Sequence, residues 1–468
     1  MKRILLIGNS PLPEENTAVR PAAALRTWQF LKGLERENAE SAHFQIRLVT
    51  IDMPECRDQT AADESSVLVQ REAKNYEHFI ISKNDPEISQ KIQSLHDDFH
   101  PDVIISVNTY PSYIAAGLKS LAPLWSDLNG WIMAEAQAQA FKMGSNDYLD
   151  HYFQMEKRVI EAADKLSAVS KAEAGALLGE IAAFGRLNKE SFGYKFVEHV
   201  PNGTEWLESE KKDSELRLVA IENLPKEAFV LLWVGGYNTW VDEFTLFKGV
   251  NEAMAQCPNL YFVSTGGQIS GLDGQTFEKF KKMIEESEYK DRFVFLGWVE
   301  TAAMPVAYAR AQAGINVDRR CVETLTGARN RINEMMKFGL PIITTRGSEI
   351  AEEMGRVGAG MAVKSGDHVG LSAAIAKIYG EWEGGADEFK AYSRKGVEYI
   401  ESECNYSMTL APLVEWLENP RPAPDRGVNV KFGGGAKWMS TKARMVWRYL
   451  RANGFKKSFQ KFLQKVKG

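Results

Sequence analysis

Residues 313–345 read AGINVDRRCVETLTGARNRINEMMKFGLPIITT. A short apolar run comes first, then a polar loop. Helical spacing sets in near Gly327 or Ala328, and Gly-Leu-Pro leads into a β-branched run. This is the order strand, loop, helix, strand, the repeating unit of a parallel sheet covered by helices. The loop from Asp318 to Gly327 therefore lies at the C-terminal end of a strand, where open α/β sheets bind ligands. Two arginines mark it further. Arg329 and Arg331 stand at the start of the helix, where the helix dipole disfavours cations. A negative partner is required there. Either an anionic ligand supplies it, with help from the free N–H groups of the helix start, or Glu323 or Glu334 pairs with the arginines inside the fold.

The same alternation extends in both directions. FVLLWVGG (229–236) and LYFVSTGG (260–267) are apolar runs that end in glycine pairs, and TLFKGVNEAMAQC (245–257) between them is helical. RFVFLGWV (292–299) and GAGMAVKSGD (358–367) continue the series. Upstream, RILLIG (3–8), FQIRLVTI (44–51), DVIISV (102–107) and KLSAVS (165–170) read as strands, with helices at 22–36 and 152–165. The fold class is α/β. Two Rossmann-like doubly wound domains face a cleft, divided within the charged stretch 205–225. The expected units are a first domain over 1–215 and a second over 216–400. A late helix over 401–420 packs back on the first domain, and a Pro/Gly linker leads into a basic tail over 421–468.

A chain of 468 residues is too long for one ordinary core. No apolar run is long enough to span a bilayer, and ILLI is too short for a signal peptide. The four cysteines show no metal or redox spacing, which fits a reducing, cytoplasmic setting. Charge is unevenly spread. Residues 427–468 hold eleven Lys and Arg and no acid, which leaves the remainder at a formal −16 against −5 for the whole chain. Phe455, Phe459, Phe462, Leu463 and Val466 share one helical face of this tail. A basic, aromatic, amphipathic helix suits an anionic membrane surface; docking on the acidic body of its own chain is the alternative. The acidic body argues against a nucleic-acid track.

The glycine turns, Gly236 and Gly266 among them, permit close backbone approach to a phosphate. Trp240 and Asp242 at a strand-to-helix junction offer an aromatic face and a carboxylate to a ligand, or serve as hydrophobic staple and helix cap. No Ser-His-Asp constellation or metal-binding motif is present, and none of the seven scattered histidines stands out as catalytic. Neither a metal nor a cofactor is expected.

These motifs in this order resemble glycosyltransferase family 4, of the GT-B fold. FVFLGWV (293–299), AYARAQAGINV (307–317), the Glu-Met-Met-Lys-Phe-Gly-Leu-Pro run from Glu334, and GSEIAEEMGRVGAGMAVKSGD (347–367) carry the likeness in the second domain. GGYNTWVDEFTL (235–246) and TGARNR (326–331) are similar to a bacterial branch with a Trp-x-Asp element and a basic turn. LRTWQFLKGL, ISVNTYPSYIAAG, SAVS and VPNG fit the first domain. The family's two carboxylates are seven residues apart, whereas Glu323 and Glu334 have ten between them and Thr occupies position 326. The family's arginine after the first glycines is replaced by Tyr237 and Asn238.

The resemblance implies retaining transfer from a nucleotide diphosphate sugar, without a metal. The basic tail adds the acceptor side: a saccharide or lipid-linked saccharide, in cell-surface polysaccharide or lipopolysaccharide assembly, with the enzyme peripheral on the inner face of the plasma membrane. Glu323 would meet the donor sugar and Glu334 the ribose. Val299 would meet the base, and Lys248, Arg329 and Arg331 the diphosphate. Gly236, Trp240, Asp242, Gly266, Thr326 and Gly327 complete the donor set. Asp127 is the first-domain catalytic candidate, though a helix cap would explain it equally. Arg20 and Arg26 would face an acceptor phosphate. A nucleotide-sugar epimerase and a non-catalytic scaffold of the same fold are the alternatives.

Overall fold

The computed structural model describes residues 1–13, 15, 21–41, 43–53, 69–72, 75–207, 210, 217–268, 273–428, 430, 432, 443–445 and 447. Arg20 and most of the basic tail lie outside the described residues.

The first domain runs β1 (Lys2–Ser10), α1 (Ala22–Ser41), β2 (Phe44–Asp52), β3 (Val69–Glu72), β4 (Tyr76–Ser82), α2 (Ile88–Phe99), β5 (Val103–Val107) and α3 (Thr109–Ala115). It continues with β6 (Leu124–Asp127), α4 (Ile132–Met143), α5 (Leu149–Ala162), β7 (Lys165–Ala168), α6 (Lys171–Ala183) and β8 (Val197–His199). The sheet order is β3-β4-β2-β1-β5-β6-β7-β8, and only β3 is antiparallel to its neighbour. In β1, Ile4 to Ile7 are fully buried. Helices cover both faces of the sheet, so the strand is continuously apolar rather than alternating.

The second domain runs α7 (Val219–Glu222), β9 (Phe229–Trp233), α8 (Glu243–Gln256), β10 (Leu260–Thr265), α9 (Gln275–Glu285), β11 (Phe293–Gly297) and α10 (Met304–Arg310). Next come β12 (Ala313–Asn316), α11 (Val322–Thr326), α12 (Asn330–Lys337), β13 (Ile342–Thr345), α13 (Glu349–Val357), β14 (Gly360–Val363) and α14 (His368–Glu383). Its sheet is wholly parallel, in the order β11-β10-β9-β12-β13-β14. Two helices, α15 (Asp387–Glu403) and α16 (Tyr406–Glu418), follow. The last of them packs against α1 of the first domain, with Leu410, Leu413 and Leu417 in that domain's core. Among the described residues no helix is long and apolar enough to cross a membrane.

Two details depart from the sequence reading. The helix expected from Gly327 or Ala328 starts later, at Asn330, and the loop before it holds a short helix of its own. α11 ends at Thr326 and α12 starts at Asn330, with Arg329 in the N-cap position between them. Asp127 and Arg26 do not face a ligand. Arg26 Nε and Nη2 grip the Asp127 carboxylate at 2.9 and 2.7 Å. The remaining Arg26 donors reach Gln29 Oε1, Asn202 Oδ1 and the carbonyls of Val200 and Pro201. Ser167 Oγ donates to Asp127 Oδ1 at 2.6 Å. Both side chains are sealed from water. Arg26 thus serves the 200–203 interdomain loop, and Asp127 neutralises it; neither is left to serve an acceptor.

Candidate functional site

The strand ends of both sheets converge on the cleft. β9 runs into Gly235 and Gly236, and β10 into Gly266 and Gly267. Gly266 has φ 89°, and a Cβ there would lie 2.5 Å from the Gly235 backbone. Only glycine lets the two turns stack back to back. They border a cavity of about 190 Å³ shared with Val299, Asn330, Arg331 and Glu334, and closed on the first-domain side by Ala22 and Leu25. Trp298 and Tyr308 stand at its edge.

Among the described residues that line this cavity, Arg331 is the cation. Its Nη2 donates to the Gly236 carbonyl at 3.0 Å, and its guanidinium lies 4.6 Å from the Trp233 ring centroid. Nη1 is buried with no hydrogen-bond partner. Burial pulls its pKa down to about 10, with Asp318 opposing and Arg329 adding to the fall. An orphaned buried donor is costly unless something meets it. Tyr237, in the position after the first glycines, is wholly buried under Trp233 and bonded to Ser264. Arg331 therefore brings charge to this turn from the helix.

Arg329 behaves differently. Its Nε pairs with Asp318 Oδ2 at 2.6 Å, and its two Nη atoms hold the Glu323 carboxylate at 3.0 and 2.7 Å. All three side chains are buried. Burial disfavours its charge, but the two carboxylates outweigh that and raise its pKa. The internal ion-pair arrangement is realised for Arg329, which is not free for a diphosphate. The Glu323 carboxylate is likewise committed to it. Gly327 N–H donates to the Glu323 carbonyl, and Thr326 is buried with its hydroxyl on the Val322 carbonyl. Trp240 lies 5.8 Å from the Arg329 guanidinium. Asp242 caps α8 through Thr245 N–H and Oγ1, which is the cap arrangement. Lys248 sits half-buried on α8. Glu334 faces the cavity, accepts from Thr204 Oγ1 and pairs with Lys337.

A second cavity of about 540 Å³ opens in the first domain and shares Ala22 with the first. Asn108, Tyr110, Tyr113, Asn129, Glu135 and Tyr152 give its polar and aromatic wall. Asn108 and Asn129 have φ values of 75° and 51°. Such backbone costs about 1–3 kcal/mol per residue and persists only when the surroundings impose it. Here Asn129 Nδ2 donates to Asn108 Oδ1, and Asn108 Nδ2 to Asn9 Oδ1.

Residues 228–381 match the family model described as Glycosyl transferases group 1. The chain carries a glycosyltransferase domain. The enzyme is thus a transferase, and its two-domain architecture is GT-B. Sucrose-phosphate synthase from Thermosynechococcus elongatus aligns over 90% of this chain and 100% of its own, at 15% identity and a TM-score of 0.63. Anabaena HepE, solved with UDP-glucose, aligns over 89% and 100% at 15% identity and TM-score 0.58. WaaG, a glycosyltransferase involved in lipopolysaccharide biosynthesis, aligns over 90% and 100% at 14% identity and TM-score 0.57. No curated protein matches the chain.

The protein also holds buried carboxyls that its sequence does not advertise. Glu173 is buried, and burial drives its pKa to about 8 although the N–H groups of Val169 and Gly130 bond its carboxylate. Glu156 is buried and raised well above the usual range, first by burial and then by Glu180. Glu135 is exposed and lines the larger cavity. Surrounding protein atoms, then Glu323, push its pKa up, with Arg329 opposing.

Arg329→Ala strands two buried carboxylates, so it destabilises the enzyme by about 3–5 kcal/mol, read as a lower urea midpoint. The raised carboxyls make the native state bind more protons than the unfolded chain. Stability therefore falls as pH rises from the usual carboxyl range, near 4.5, towards about 8. Glu156→Gln mimics the protonated form. Its melting temperature should exceed that of the wild type by a few degrees at pH 8 and match it at pH 5.

Proposed function

We propose that the protein is a retaining glycosyltransferase. It moves a sugar from a nucleotide diphosphate sugar to a saccharide acceptor, lipid-linked, in cell-surface polysaccharide or lipopolysaccharide assembly. The observation that carries the donor half is Arg331. A half-buried guanidinium with one buried, unpartnered N–H group, beside two glycine turns and the start of α12, is a receptor for a diphosphate. As the bond from the sugar C1 to the phosphate oxygen breaks, negative charge grows on the leaving diphosphate. Fixed donors in a confined cleft stabilise that charge more than they stabilise the bound donor. Glu334, held by Thr204 and Lys337, faces the same cavity and suits the ribose hydroxyls. Trp298, Val299 and Tyr308 suit a base. Gly236 and Gly266 shape the phosphate floor, and Lys248 stands outside it on α8. The retaining outcome rests on the likeness of the second domain to family 4.

UDP sugars are the first donors to test, because HepE is solved with UDP-glucose. The lipid-linked acceptor is supported by the basic, acid-free composition of 427–468, which suits an anionic inner-leaflet surface, and by the likeness to WaaG. No metal or cofactor enters this reading.

UDP, GDP, dTDP and ADP sugars are screened by thermal shift, with a CMP sugar as the control lacking a diphosphate. One diphosphate sugar should raise the melting temperature. Arg331→Ala should then weaken its binding roughly 10- to 100-fold by calorimetry. A chain that no nucleotide sugar stabilises would sink the reading. Truncation after 426 should abolish co-sedimentation with phosphatidylserine-containing vesicles and leave donor binding intact; undiminished vesicle binding removes the lipid-surface role of the tail.

A further inference from the structure

The segment that crosses from the first domain to the second after β8 does more than connect them. Lys337, at the end of α12, buries its ammonium against it. Its Nζ reaches the Glu205 carbonyl at 3.2 Å and Glu210 Oε2 at 2.8 Å, both on the crossing segment. It also reaches Glu334 Oε2 at 2.8 Å, one turn back on its own helix. An ammonium has three N–H groups, and these three acceptors match them. The Lys337 side chain is only 2% exposed. Trp206 and Phe338 close over it, with ring centroids at 5.1 and 5.2 Å from Nζ, and Phe338 stacks on Tyr308 of the donor cavity at 4.3 Å. Thr204 Oγ1, on the same crossing segment, donates to the other oxygen of Glu334. Each Glu334 oxygen thus has a fixed partner and a further lone pair. Glu334 and Glu210 both line the donor cavity.

We propose that Thr204 and Lys337 are positioning residues. Between them they hold Glu334 so that its two oxygens meet the vicinal hydroxyls of the donor ribose, which makes the crossing segment part of the donor site. The inference rests on the reading of this cavity as the donor pocket and adds to it a selectivity for ribonucleotides. A buried charge cluster is a poor way merely to tie a helix to a loop, because apolar side chains of similar volume do so as well or better. Here one member of the cluster keeps an open side: the Glu334 side chain is 18% exposed and lines the cavity. A carboxylate anchored at both oxygens has its remaining lone pairs already aimed, so little ordering is left to cost affinity when the ligand arrives. Lys337 also offsets the negative charge that Glu210 and Glu334 bring to a cavity that receives a diphosphate. A ribose without its 2′-hydroxyl leaves one of the aimed lone pairs unmet, and an acceptor left unmet in a closed site is costly.

The test is calorimetry on the full chain with UDP, GDP and ADP, each paired with its 2′-deoxy counterpart. The nucleotide that binds should do so at least roughly tenfold more tightly than its deoxy form. Thr204→Val removes one anchor and strands no charge. Lys337→Met combined with Glu210→Gln removes the other anchor together with a counter-charge. Each should weaken the ribonucleotide and cut the ratio to about threefold or less. A role confined to folding would lower both members of a pair alike and leave the ratio as it was. Arg331→Ala, on the phosphate side, should show that second pattern, with both members weakened and the ratio kept. Equal affinity of the wild type for both members, or a ratio unchanged in both Thr204→Val and the double variant, overturns the inference and leaves the donor reading standing. Binding of none of the nucleotides overturns the donor reading itself, and the inference with it.

Discussion

The ion pair between Arg26 and Asp127 is the constraint on which the cleft depends. Both groups are removed from water, and such a pair is tolerable only when its remaining donors and acceptors are satisfied. Here they are, and the groups involved lie on four separate elements: α1, the end of β6, β7 and the 200–203 loop. The loop is thereby fixed to the first domain. It then holds the second domain: Asn202 bonds Asn330, its carbonyl accepts from Asn333, and Thr204 donates to Glu334. The helix that carries Arg331 is positioned from the opposite domain.

The two arginines that begin α12 show how two residues of spacing separate structure from chemistry. Arg329, in the N-cap position, turns towards the end of β12 and finds Asp318 and Glu323. Arg331, one residue into the helix, turns towards the glycine turn after β9 and finds a carbonyl and an aromatic ring. A carbonyl carries no full charge. Arg329 is neutralised within the fold, whereas Arg331 keeps its charge for the cleft.

Much of the fold was legible because buried parallel strands are continuous apolar runs, as in FVLLW and ILLI. The helices α4 and α6 were harder to see. IMAEAQAQAFKM and KAEAGALLGEIAA are rich in small residues, and a stripe of alanines gives little contrast between faces. The cleft glycines, Arg331 and Glu334 were visible as residue types at strand and helix ends. Glu323 was legible as a partner for the arginines, whereas Asp318 as the second partner of Arg329, and Asp127 as the partner of Arg26, were not. Asp318 lies across a turn from Arg329, and Asp127 is 101 residues from Arg26, so only tertiary packing could pair them. Glu173 escaped notice because a single Glu on a helix reads as a solvated surface residue, yet it is fully buried and bonded by the N–H of Gly130, which is distant in sequence.

The chain passes between the domains twice, once after β8 and again between α15 and α16. The two passages touch. Thr204 N–H donates to the Cys404 carbonyl at 2.9 Å, and Tyr406 N–H to Glu205 Oε1 at 2.8 Å. A Cβ on Gly203 would lie 2.7 Å from the Cys404 carbonyl oxygen, so a larger residue would push the two segments of this junction apart. Two covalent connections bound side by side behave as a single pivot. Twisting or sliding of one domain past the other would tear these bonds, whereas swinging about the junction preserves them. The cleft is therefore built like a book with one spine, and its clasp is the pair of bonds from Ser170 Oγ to the Thr326 carbonyl and from the Lys171 N–H to Glu349, which any opening of the far edge has to part.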